Sequence, residues 1–252
     1  MVAAMPSLSP AQWLLAVVGA LGIGISKAGF PGMSLVHVLV FALIFGARNS
    51  TGIILPMLVA ADVLAVRAFR QHARWVYIRR MLPATFAGIL IGFALMGHLH
   101  ERAFAPLIGV IVLVLTVLQV GRMAWPGVLA DVPHSSAFAW TMGLLAGVTT
   151  MIANAAGPIV TLYALSVSLP KFELVGTGAW FFLIVNLVKL PFSMALGLIR
   201  VDTLALNLVL LPPVFTGIAL GRWLTHRVPQ RLFDGLLLAF AAVAALRLVG
   251  AW

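Results

Sequence analysis

Two short stretches of this sequence place helix-breaking residues beside polar ones in otherwise apolar surroundings. They are Lys27-Ala28-Gly29-Phe30-Pro31-Gly32 and Asn154-Ala155-Ala156-Gly157-Pro158. Gly and Pro interrupt the helical hydrogen-bond ladder, which leaves free N–H groups at the start of the helix that follows. Those groups, with the helix dipole, favour an anion. Lys27 adds a fixed charge. A Lys at bilayer centre costs about 2.5–3.5 kcal/mol, which a bound anion offsets; the alternative is that Lys27 lies near the interface and snorkels. In the second break Asn154, with Thr149, Thr150 and Thr161 one turn away, offers amide and hydroxyl donors to an oxyanion without fixing a second charge. The candidate substrate-binding residues of the breaks are therefore Lys27, Gly29, Phe30, Pro31 and Gly32, and Thr150, Asn154, Gly157 and Pro158.

Other polar residues lie deep in apolar segments. Asp62 and Lys189 fall at matching depths. They read either as a structural ion pair or as functional groups, Asp62 coupling a proton and Lys189 touching substrate. Asn186, one turn before Lys189, faces the same way. His37 reads as a packed or pore-lining histidine. Several kinds of chemistry lack their motifs. There is no phosphate loop, no HExxH and no G-x-S-x-G elbow. With no cysteine, disulfides and thiolate metal sites are excluded. No cofactor and no enzymatic activity are expected.

The elements that must position these residues are membrane spans. Of 252 residues, 63% are apolar and 9% charged, against roughly 25% charged in soluble domains. So much apolar surface in a chain of this length requires lipid. The net charge of +10 sits in short gaps between apolar runs, where it sets orientation rather than binding nucleic acid. Ten apolar segments follow: 10–25, 31–46, 50–69, 78–97, 104–123, 136–152, 157–169, 173–197, 202–222 and 231–250. The first, second, sixth and seventh are short for a span of about 20 residues, and form two broken pairs. Most Trp residues fall at or near segment ends, as indole prefers.

The sequence also repeats. Leu82 to Gly92 and Leu211 to Gly221 match at six of eleven positions at an offset of 129, which also pairs Arg102 with Arg231 and Phe104 with Phe233. Residues 1–123 and 136–252 are read as two repeats joined by a linker at 124–135. Arg67, Arg70, Arg74, Arg79 and Arg80 mark the loop after segment three as cytoplasmic, and Arg222, Arg227 and Arg231 mark the loop after segment nine. Equivalent loops then face opposite sides. The expected fold is an all-α polytopic membrane protein of two inverted repeats. Each has a broken or re-entrant short helix pair plus three full transmembrane helices, and both termini lie outside. One broken span per pair, giving eight crossings and parallel halves, is the alternative that the arginines disfavour.

The two breaks, Gly29 to Gly32 and Asn154 to Pro158, resemble those of the sulfite exporter TauE/SafE family of membrane permeases. The likeness extends over nearly the whole chain, including its size and two-half layout. It implies multi-pass insertion in the bacterial inner membrane and transport of sulfite, organosulfonates or related sulfur-containing or carboxylate anions. Broken helices paired between repeats are also where secondary transporters place their sites. An inside-negative potential of about 100 mV, worth about 2.3 kcal/mol per charge, favours anion export. The expected function is thus alternating-access export of a small anion; an anion channel or a structural membrane subunit is the alternative. The expected partners are the anion and the lipid bilayer, with a homodimer as an option and no nucleic acid.

Overall fold

The computed structural model describes residues 8–30, 33–125 and 135–227, and residues 239, 242–243, 245–246 and 249–250. Among the described residues the regular structure is helical. The helices are α1 (Pro10–Lys27), α2 (Met33–Phe45), α3 (Ala47–Phe69), α4 (Trp75–His98), α5 (Glu101–Ala124), α6 (Ser136–Ala153), α7 (Gly157–Ser166), α8 (Lys171–Ala195) and α9 (Val201–Arg227). A 3-10 turn at Arg70–His72 follows α3. Seven helical stretches are long and apolar enough to cross a membrane. Pro31, Gly32, most of the 124–135 linker and most of segment ten, with Arg231 and Phe233, lie outside the described residues.

Helix boundaries follow local chemistry. Ser9 caps α1 reciprocally: its Oγ accepts from Gln12 N (3.3 Å) and its N–H donates to Gln12 Oε1 (2.9 Å). Ser135 caps α6 by accepting from Phe138 N at 3.1 Å. At its other end α6 stops at Asn154, which adopts a left-handed conformation with φ of 53°. These ends correct one expectation. Segments one and six are not short: α1 and α6 each reach 18 residues and qualify as spans. Only the second member of each pair is short, α2 with 13 residues and α7 with 10. The extra length lies at the far ends, where α1 runs on to Lys27 and α6 to Ala153.

Close helix packing rests on glycine. α4 packs along α6, α1 along α9, and α3 along α8. A Cβ on Gly88 of α4 would sit 2.3 Å from the Leu144 carbonyl oxygen of α6, and one on Gly217 of α9 would sit 2.2 Å from the Leu21 carbonyl oxygen of α1. Neither backbone can withdraw cheaply, so only glycine allows these approaches, as in other membrane helix pairs. Outward faces are apolar and exposed, among them Val114, Val117 and Leu118 of α5 and Leu208 of α9. Lipid suits such faces.

Candidate functional site

Several polar residues within the bundle form two linked groups. Lys27 ends α1, and its Nζ lies 2.6 Å from Asp62 Oδ1 on α3. Asp62 is fully buried, and its Oδ2 accepts from Asn186 Nδ2 of α8 at 2.7 Å. The Lys27 ammonium also lies 4.5 Å from the Phe182 ring centroid, a favourable cation–π placement. Lys189, one turn after Asn186, turns to the second group. Its Nζ donates to Thr150 Oγ1 at 3.1 Å and to Asn154 Oδ1. Asn154 Nδ2 in turn donates to the Thr51 carbonyl of α3 at 2.8 Å. Asn154 thus ties the end of α6 to α3 and α8, and the left-handed cap makes that reach available.

The ion pair differs from the sequence expectation. Asp62 pairs with Lys27, not with Lys189. Matching depth along two helices does not fix which neighbour a long side chain reaches. Lys27, at a helix end, bends into the bundle, and Lys189 finds the oxygens of Thr150 and Asn154 instead.

A cavity of about 90 Å³ opens beside these groups. That is several times the roughly 10–15 Å³ of such space that one water needs, so the cavity holds several waters or a small anion. Lys27, Gly29, Thr150, Asn154, Gly157 and Asn186 line it. Gly29 takes a φ of 112°, which glycine adopts without strain. Gly157 begins α7, so the N-terminus of a half-helix meets the cavity. The other candidates lie elsewhere. Asp62 and Lys189 stand behind the wall. Phe30 is fully buried in a small apolar cluster with Ile25 and Met33. Pro158 borders a separate, smaller void beside Gln119.

Some wall residues, Tyr77 and Phe182 among them, were not singled out in the sequence. His37, read there as packed or pore-lining, also lines the cavity; it is 1% exposed, and its ring nitrogens make no well-formed hydrogen bond among the described residues. Phe182, Asn186 and Lys189 follow an i, i+4, i+7 spacing, which puts them on one helical face; that signal was available. The Thr51 carbonyl had none, because every residue carries one.

The start of α8 is clamped near the same cavity. The Arg74 N–H donates to Thr177 Oγ1 at 2.9 Å, the Arg74 guanidinium pairs with Glu173, and Trp75 stacks at a tilt on Trp180. The Glu173 carboxylate holds the Arg74 guanidinium above its ordinary value.

The two breaks, the charged pair between them and the run of apolar spans occur together in a chain that a family model described as sulfite exporter TauE/SafE matches over residues 14–248. The chain belongs to the TauE/SafE family. None of the curated proteins and none of the solved structures compared with it matches. The TauE/SafE match encloses both breaks and every cavity residue named above. With seven apolar helices long enough to span, this TauE/SafE chain is a multi-pass membrane protein of an exporter family.

Proposed function

We propose that this protein carries a small anion, sulfite or a related sulfonate or carboxylate, outward across the bacterial inner membrane by alternating access. One observation carries the reading: a cavity lies between the two helix breaks, lined by Lys27 from one and by Asn154 and Gly157 from the other. An anion there meets an ammonium, the N-terminus of α7 and neutral donors. Lys189 acts from behind the wall, holding Thr150 and Asn154 in place. Asn186 holds Asp62, the counter-ion of Lys27.

The two halves, 1–123 and 136–252, act in this proposal as inverted repeats rocking about the site. The helix pairing supports that reading. Exchanging the halves turns the α4–α6 contact into the α9–α1 contact and returns α3–α8 to itself. Gly88 and Gly217, 129 residues apart, make the equivalent close approaches.

Countertransport tests the carrier reading. Proteoliposomes preloaded with unlabelled sulfite should take up labelled sulfite faster than empty ones, because a loaded carrier returns sooner. Equal rates, with no saturation, would indicate a channel instead.

A further inference from the structure

The Lys27–Asp62 pair poses a problem of charge for any anion that enters. Lys27 is the cation that lines the cavity among the described residues, and its Nζ is already 2.6 Å from Asp62 Oδ1. Asp62 is 0% exposed, and its other oxygen is held by Asn186 at 2.7 Å. An anion reaching Lys27 therefore arrives beside a carboxylate that water does not solvate. Two anions sharing one ammonium at low dielectric repel strongly, and the usual resolution is a proton on one of them.

The surroundings offer few other ways to balance that charge. The charged groups acting on Asp62 are Lys27 of α1 and Lys189 of α8. Lys189 is engaged with Thr150 and Asn154 of α6, and it neither lines the cavity nor pairs with Asp62, so an entering anion does not contact it. From α2, His37 lines the same cavity as Lys27. α9 packs on α3 in an apolar cluster that holds Ala61 with Leu206, Leu210 and Val214. α5 touches α3 through Phe104 beneath Arg48, about four turns from Asp62. Arg70 and His72 of the 3-10 turn lie about two turns beyond it.

We propose that a proton binds Asp62 as the anion binds Lys27, and that the two cross the membrane together. This rests on the anion-carrier reading above. The Asp62 carboxylate takes a proton from the aqueous side to which the site is open and becomes a neutral acid. The Lys27 ammonium then exchanges Asp62 for the anion as its counter-ion. Asn186 keeps donating to the Asp62 oxygen that it holds. On the far side the anion leaves, Asp62 returns its proton to water, and the ion pair re-forms. For a monoanion the pair is neutral when empty (Lys27⁺, Asp62⁻) and when loaded (Lys27⁺, anion, protonated Asp62). The membrane potential then does no work on a monoanion, and an outside-acid pH gradient favours entry, so export runs only where the outward anion gradient exceeds the pH gradient. Binding of proton and anion is reciprocal: each tightens the other.

The test uses full-length protein in proteoliposomes with labelled sulfite and with methanesulfonate, whose charge stays at −1 across the pH range used. External pH and membrane current are followed during uptake. The expected result is an external alkalinisation of about one proton per methanesulfonate with no net current. Asp62→Asn should sever proton movement from anion movement and make flux electrogenic, and Asp62→Glu should restore the proton. Wild-type uptake with a full monoanion current and no pH change would overturn the coupling while leaving the anion carrier standing. Uptake of neither probe under any gradient would overturn the carrier reading and this inference with it.

Discussion

Lys27 Nζ and Asp62 Oδ1 stand 2.6 Å apart, so the charge at the first helix break is matched by a carboxylate of the same half rather than left open to the cavity. Such a pair is costly to bury, and breaking it from one side leaves the other charge stranded. Lys27→Ala should therefore destabilise the protein by about 3–5 kcal/mol. Adding Asp62→Asn should recover much of that loss. Thermal unfolding in detergent of the two single variants and the double variant checks this; additive losses would contradict the pairing.

Lys189 is predicted to matter through Asn154 rather than by touching the anion. Lys189→Met deprives Asn154 Oδ1 and Thr150 Oγ1 of their donor, at a cost of about 1–3 kcal/mol. The half-saturation concentration for sulfite should rise while the protein still inserts and folds. An unchanged value for a folded variant would remove Lys189 from the account.

Helix packing gives a prediction independent of substrate. Gly88→Ala and Gly217→Ala push a methyl group against carbonyl oxygens of α6 and α1 and should each cost about 1–3 kcal/mol. Gly97→Ala, with nothing within 4 Å of the added carbon, should stay within about 0.5 kcal/mol of wild type. Unfolding temperatures in detergent compare the three. Equal behaviour would mean that α4 and α9 do not approach their neighbours so closely.

Topology is checked at His72, in the 3-10 turn between α3 and α4. Its neighbouring arginines place that turn inside. Because the chain has no cysteine, His72→Cys introduces a unique thiol. It should resist impermeant reagents in intact cells and react after permeabilisation. Labelling of intact cells would reverse the orientation.

The helices were legible because apolar length and Gly-Pro punctuation are physical requirements of a bilayer. α3, α4, α5 and α8 fall within a few residues of the segments read from sequence. Lys27, Asn154 and Gly157 were legible for the same reason, since polar and helix-breaking residues are tolerated at such depth only against protein or a wet cavity. The partner of Asp62 was not. Sequence gives depth along a helix, whereas pairing depends on rotation and on how far a side chain reaches, so the ion pair formed with Lys27 and not with Lys189. Phe30 shows the same limit: it belongs to the motif but turns away from the cavity into apolar packing.

On the carrier reading, the cavity at Lys27 binds and carries a small anion. Uptake of labelled sulfite into proteoliposomes tests it most directly, with wild-type protein beside the Lys27→Ala/Asp62→Asn double variant, which removes the charge without stranding its partner. Wild-type uptake should saturate and be suppressed by unlabelled sulfonates, and a folded double variant should lose it. Wild-type flux in the double variant would contradict the carrier reading.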